Sequence, residues 1–368
     1  MTFGSRALIR LGALKTNLTV IRKAAPGAKV MAVIKANAYG HGMDAVARTL
    51  EDADAFAVAR LPEAVALHES GIEQPLVLLS GVLTMEELSE VIARGFQIVV
   101  HCPEQVDLLE SVTAGQTTVW LKFDTGMNRL GFAPEAARTL IDRLQACPAV
   151  TELRLMSHLA SADELDSPVT EEQFARFRNI VENFEGAVSV ANTPATLGWP
   201  LIADANESLG FKGDHWIRPG LALFGISPFD GRCGSDLGLT PVMQFEARLI
   251  AIKPLAEGSR VGYRGRYRAE SETTLGIISA GYGDGYTRHF RTGTPVLING
   301  RRVPLIGNVS MDMIAVDLGA AATDRVGDIA TLWGDGLPVE EVAPWADAIP
   351  YELVCGVMHR ENSEVVDA

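Results

Sequence analysis

Short apolar runs alternate with amphipathic segments through the first 225 residues. The runs are Lys29–Ile34 (the apolar stretch proper begins at Val30), Ala55–Ala59, Pro75–Ser80 and Phe96–Val100. They continue at Thr117–Phe123, Glu152–Ser157, Ala187–Ala191 and Gly220–Phe224. Runs this short, without strict alternation, predict strands buried on both faces. The segments between them carry the helical period. Met85–Arg94 puts Leu88, Val91 and Ile92 on one face, and Gly95 supplies the stop. Pro103–Leu109 opens with proline at a first helical position. Thr170–Phe184 opens Thr-Glu-Glu-Gln, with acids at the positive end of the helix dipole. Eight strand–helix units predict an α/β fold, a (β/α)8 TIM barrel over residues 1–230, with an open doubly wound sheet as the alternative.

The pattern changes near residue 230. The stretch from Ile226 to Gly238 is rich in turn formers and predicts a linker. Beyond it the apolar runs stay short and the helical period fades: Gln244–Ile252, Thr274–Ser279, Pro295–Ile298 and Ile314–Asp317. Asn299-Gly300 and Gly334-Asp335-Gly336 mark turns between them. Residues 231–368 therefore predict a mostly β C-terminal domain.

Charge narrows the function. Against 46 acids stand 32 Lys and Arg, a formal net charge of −14, which disfavours nucleic acid as a partner. A local basic pocket remains compatible with that balance. Cys102, Cys147, Cys233 and Cys355 form no close pair, so no metal site is expected, and their usage fits a reducing compartment. Arg6 and Arg10 interrupt any apolar leader, and no apolar run approaches the ~18 residues of a membrane span. The expectation is a cytoplasmic protein without a membrane role.

In a barrel, chemistry sits at the C-terminal ends of the strands. The first run ends in Val33–Gly42, VIKANAYGHG. Desolvation at the end of a buried strand lowers an amine pKa, and such a lysine suits bond formation with a carbonyl. The plain alternative is a snorkelling Lys35. After the fifth run comes Asp124–Gly131, DTGMNRLG, where Arg129 between glycines suits an anion and equally a surface turn. His158 follows the sixth run, as a functional or a satisfied core histidine. Asn192-Thr193-Pro194 follows the seventh, a helix start that holds a phosphate or merely caps. Arg218-Pro219-Gly220 precedes the eighth run. A reactive lysine beside a phosphate cradle at one mouth points to pyridoxal phosphate.

These segments, with Ser157–Ala160 (SHLA), Arg218–Gly225 (RPGLALFG), Val261-Gly262-Tyr263, Gly281–Gly285 (GYGDG), Ser310-Met311-Asp312 and Ile349–Glu352, resemble the bacterial alanine racemases. The matches keep the family's order from about residue 5 to 360. The resemblance implies a pyridoxal 5'-phosphate enzyme that interconverts L- and D-alanine with two bases, supplies D-alanine for peptidoglycan, and works as a head-to-tail homodimer with shared sites. It implies that Lys35 holds the cofactor and is one base, and that Tyr263 is the other. Tyr39, Tyr351, Asn192, Thr193 and the backbone at Gly220 and Leu221 would hold the phosphate. Thr193 stands where many relatives carry serine. Arg218 would face the pyridine nitrogen, and His158 would bridge Arg218 to the catalytic tyrosine.

The resemblance further implies that Arg129 and Met311 receive the substrate carboxylate or a neighbouring cofactor oxygen. Lys122 stands where some relatives carry a carbamylated lysine. Tyr263, Met311 and Asp312 would come from the partner subunit. Tyr282, Arg288, Asp163 and Ile349 match an access channel. Asn308 replaces a common arginine there, and Ser310 a frequent cysteine. Competing expectations are a broad-specificity or serine racemase of the same fold, a related decarboxylase or aldolase, and a cofactor carrier without catalysis.

Overall fold

The structure, a computed structural model, describes residues 4–204, 208–357 and 363–366. Eight parallel strands close into a barrel: β2 (Lys29–Val33), β3 (Ala55–Val58), β4 (Leu76–Leu78), β5 (Gln97–Val100), β6 (Thr117–Lys122), β7 (Val150–Met156), β8 (Val188–Asn192) and β9 (His215–Arg218). Each strand pairs with its neighbour around the ring, with register shifts in the β6–β7 and β8–β9 ladders, and Lys29 of β2 meets Trp216 of β9 to close it. Strands β3, β4, β5 and β9 are buried along their whole length, since helices cover the outside and side chains fill the inside. Among the helices, Met85–Arg94 starts where the Thr84 side chain accepts from Glu87 N at 3.2 Å. It ends at Gly95, whose φ of 70° is the left-handed cap glycine favours.

One expected strand is displaced. Gly220–Phe224 is not the eighth strand: Leu221–Phe224 forms a buried 3-10 turn, and His215–Arg218 is the strand. The apolar run misled because the turn is fully buried and reads like a strand interior. Pro219 and Gly220 break the ladder, and Gly225 at φ 79° turns the chain away. Arg218 therefore ends the eighth strand rather than preceding it, so it sits at the barrel mouth like the other site residues. The Arg154 guanidinium lies 5.1 Å from the Trp120 ring and 5.3 Å from the Trp216 ring.

The second domain is a sheet built on β10 (Met243–Leu255). Around it lie β1 (Arg6–Arg10), β11 (Arg260–Val261), β12 (Tyr267–Arg268), β13 (Thr273–Ile278), β14 (Pro295–Ile298), β15 (Arg301–Pro304), β16 (Ile314–Asp317), β17 (Ile329–Trp333) and β18 (Ser363–Val366). The strand order is β15-β14-β17-β10-β1-β18, with β13 branching from β10 and β16 paired to β13, while β11 and β12 form a separate hairpin. The chain's first strand thus lies in the last domain: Ala7 of β1 pairs with Phe245 of β10. Among the described residues no helix is long and apolar enough to cross a membrane.

Candidate active site

A cavity of about 870 Å³ opens at the C-terminal ends of the barrel strands. Successive strand ends supply its walls: Lys35 and Tyr39 follow β2, Lys122 ends β6 with Arg129 in the loop beyond, and His158 follows β7. Asn192 and Thr193 come from β8; Arg218, Gly220 and Leu221 come from β9. Tyr351 enters from the second-domain helix Pro350–Gly356. A second groove of about 950 Å³, lined by residues such as Arg138 and Arg176, holds none of the expected site residues.

Lys35 begins an unusual turn. Ala36, Asn37, Ala38 and Tyr39 all hold φ between 52° and 54°, a left-handed coil of four non-glycine residues. Such a conformation costs roughly 1–2 kcal/mol per residue, so its surroundings must enforce it. Ala38 N donates to Ile34 O at 2.9 Å and Gly40 N to Ala36 O at 3.1 Å. His41 Nδ1 lies 3.0 Å from Ala38 O and 2.9 Å from Tyr39 O, and its ring stacks on Phe224 at 4.4 Å. Burial pushes the His41 imidazole down to about 4, so it is neutral. At Gly40 the Val354 carbonyl oxygen would stand 2.3 Å from a Cβ, which ties the turn to the second domain. The coil aims Lys35 and Tyr39 into one cavity. Burial, then the Arg129 guanidinium, lower the Lys35 amine from its ordinary value.

The expected phosphate end consists of neutral donors. Burial raises Tyr39 well above an ordinary phenol and raises Tyr351 to about 12, so both stay protonated. Their rings lie 5.9 Å apart. A Cβ at Gly220 would stand 2.6 Å from the Tyr39 hydroxyl oxygen, so only glycine leaves that approach open. Thr193 Oγ1 accepts from Gly220 N at 2.9 Å and keeps its own proton to donate. Asn192 caps the helix Thr193–Gly198 by accepting from Ala195 N at 3.2 Å.

Arg218 lies at the back of the cavity and is 5% exposed. It donates to Ser189 Oγ and to the carbonyl oxygen of Ser157, and lies 3.4 Å from His158 Nδ1. Burial lowers it to about 9, which leaves it a cation at neutral pH. Burial first, then the charge of Arg218, hold His158 well below the usual imidazole range, so it accepts rather than repels. Burial, Arg218 and Arg129 bring the Lys122 amine down to about 8. The loop that carries Arg129 is folded by Asp124, whose carboxylate accepts from Gly126 N at 2.9 Å, Asn128 N at 3.0 Å and Arg129 N at 3.2 Å. Lys35, Lys122, Arg129 and Arg218 thus share one cavity in an acidic protein and suit it to anionic groups, while Asp163, Asp230, Glu340 and Glu341 also line its wall.

The structure does not bring every expected residue here. Asp163 and Ile349 line the cavity; Tyr263, Met311, Asp312, Tyr282 and Arg288 do not. Tyr263 is 71% exposed and Met311 48%. They lie on joined loops: Asn308 Nδ2 donates to Tyr263 O at 3.1 Å, and Gly283 N donates to Met311 O at 2.9 Å. Sequence reasoning missed Ser189, Glu63 and His41 as supports. His41 stood inside the VIKANAYGHG motif, but a single histidine and an ordinary helix-start glutamate carry no local signal of their partners.

Two family profiles match the chain: the alanine racemase N-terminal domain over residues 9–228 and the alanine racemase C-terminal domain over residues 242–365. An alanine racemase of Shewanella sediminis is 48% identical over 95% of both chains. One of Vibrio parahaemolyticus is 45% identical over 98% of both. The solved structure of the biosynthetic alanine racemase from Pseudomonas aeruginosa superposes with a TM-score of 0.91 at 39% identity, covering 98% of each chain. That of the alanine racemase from Acinetobacter baumannii gives 0.89 at 33% identity, covering 99% of this chain and 100% of that one.

Proposed function

The chain belongs to the alanine racemase family, isomerases of alanine, and from that premise we propose how its residues carry out the reaction with pyridoxal phosphate. The observation that carries the reading is the meeting of a lowered lysine amine, a buried arginine and a set of neutral hydroxyl donors in one cavity. A broad-specificity or serine racemase is not favoured, since the relatives and neighbours above are alanine racemases.

The residues present fit the cofactor. The space kept open at Gly220 beside the Tyr39 hydroxyl suits a phosphate oxygen, with Tyr351, Asn192, Thr193 and the backbone at Leu221 around it. Lys35 would hold the aldehyde carbon and Arg218 the pyridine nitrogen. When bound, pyridoxal phosphate supplies a carbonyl for the substrate amine and a ring that draws electrons from Cα. An arginine does not readily release a proton, so Arg218 would leave the ring nitrogen unprotonated and would moderate that electron withdrawal. His158 accepts from Arg218 and fixes the catalytic tyrosine.

Racemisation removes a proton from one face of Cα and delivers one to the other. Lys35 Nζ serves the proton of D-alanine, and the Tyr263 hydroxyl oxygen that of L-alanine. Arg129 and Met311 receive the substrate carboxylate. Because Tyr263, Met311 and Asp312 lie outside this chain's cavity, they serve the partner's site in a homodimer. A Lys122 amine near 8 is partly neutral at physiological pH, which supports carbamylation and a steadying role beside Arg129. The bacterial relatives support supply of D-alanine for peptidoglycan. Four unpaired thiols support a cytoplasmic location.

Borohydride reduction of the holoenzyme, followed by peptide mapping, tests the assignment. The pyridoxyl group is expected on Lys35, and Lys35→Ala should abolish racemisation of alanine. Label on any other lysine would overturn it.

A further inference from the structure

We infer that Glu63 is a positioning residue for Lys35, its single carboxylate fastening the lysine-bearing turn to the neighbouring barrel loop. The inference rests on the reading of Lys35 above. Glu63 Oε1 accepts from Ala36 N at 2.7 Å. Its Oε2 accepts from Ala59 N at 2.8 Å and from Arg60 N at 3.0 Å. Ala36 directly follows Lys35, whereas Ala59 and Arg60 directly follow β3. Strands β2 and β3 are hydrogen-bonded neighbours, so the carboxylate ties together two adjacent strand ends at the mouth of the barrel.

The tie falls where it is most needed. Ala36 opens the left-handed coil, and its N–H no longer points along the β ladder. A carboxylate can accept all three bonds at once, because it carries no proton to oppose them. The other supports of the coil act farther along, at Met43 N, which donates to Asn37 Oδ1 at 2.9 Å, and at His41. Beside the coil's own backbone bonds, from Ala38 N to Ile34 O and from Gly40 N to Ala36 O, Glu63 supplies the side chain that accepts from the N–H next to the amine. Its charge also faces the Lys35 amine and raises the amine's proton affinity, against burial and Arg129. With both oxygens engaged by backbone N–H groups, Glu63 is suited to fixing the lysine rather than to moving protons.

Glu63→Gln is the test. The amide keeps the length of the side chain, but its NH2 must face N–H donors, so one of the two loops is released. The expected outcome is a fall in kcat of about 10- to 100-fold with KM for alanine little changed, as for a reacting group slightly misplaced. Exchange of the Cα proton with solvent should fall more for D-alanine than for L-alanine, because Lys35 serves that face. Hydrogen–deuterium exchange of residues 34–42 in the holoenzyme should quicken while the melting temperature changes little. An equal fall for both enantiomers, or none, with the cofactor bound, overturns the inference. If the Gln variant fails to fold, Glu63→Asp replaces it; one methylene shorter, it reaches only one loop and should show the same asymmetry in weaker form. The pyridoxyl map of the wild-type enzyme separates the two readings. Label away from Lys35 defeats the assignment of that lysine and this inference with it; label on Lys35 without asymmetry in Glu63→Gln defeats this inference alone.

Discussion

The two proposed bases stand in opposite settings. Lys35 begins a turn that is buried or tied at every residue: Glu63 holds its start, His41 its end, and Gly40 abuts the second domain. Tyr263 stands on the turn between β11 and β12, with Gly262 at φ 71° and Arg264 at φ 63° on either side, and its ring lies mostly in solvent. Its local ties are the bond from Gly265 N to Gly262 O at 3.1 Å and that from Asn308 Nδ2 at 3.1 Å. On the proposed reading, one half of the site is finished by a single chain, and the other is to be completed by a second copy. A lysine that holds a cofactor must be aimed before substrate arrives. On the same reading, a tyrosine on an exposed hairpin would gain its setting on assembly, where burial would strengthen its hydrogen bonds. Met311, Met313 and Tyr282 are likewise exposed.

The largest effect should come from splitting the halves between chains. Lys35→Ala and Tyr263→Ala should each be inactive as homodimers. Mixing them should restore about a quarter of wild-type activity, because random exchange gives half heterodimers, each with one intact site. Full subunit exchange without recovery would show that each site is built from one chain, and the contrast would collapse.

A smaller effect isolates the finished half. His41 is buried and neutral, its pKa down at about 4 against an ordinary 6.5. The unfolded chain therefore binds the extra proton between those values. Stability from this residue is complete above pH 6.5 and is lost as pH falls toward 4, by roughly 3 kcal/mol. His41→Gln should be less stable at neutral pH and should lose less on acidification. Urea melts of both proteins at pH 7.5, 6 and 5 check this; parallel losses would remove His41 from the account.

The smallest effect belongs to the hairpin. Asn308→Ala removes one side-chain hydrogen bond to the Tyr263 carbonyl. At about 0.5–1.5 kcal/mol for such a bond, kcat should fall roughly two- to tenfold. The loss in Cα-proton exchange should be greater for L-alanine, the mirror of the asymmetry expected for Glu63→Gln. A loss centred on D-alanine would mean that the two halves are not separable.

Much of the barrel was legible because buried parallel strands read as short apolar runs, and polar residues after such runs mark a mouth. The eighth strand was displaced for the same reason: Leu221–Phe224 is as apolar and as buried as a strand. Lys35, Tyr39, His158, Thr193 and Arg218 were found through motifs, and the structure brings them to one cavity. Glu63 and Ser189 were not legible, since the groups they bind lie 27 and 29 residues away.

The sequence by itself determined the first seven barrel strands, and which residue types could carry the chemistry, because hydrophobic period and motif spacing are local properties. Tertiary structure alone decided that β1 lies in the last domain's sheet, that a carboxylate from one loop holds the turn of another, and that Tyr263 is left outside its own chain's cavity. Those outcomes depend on which distant backbone groups meet, and a lone N–H or carboxylate leaves no trace in the sequence of the partner that will satisfy it.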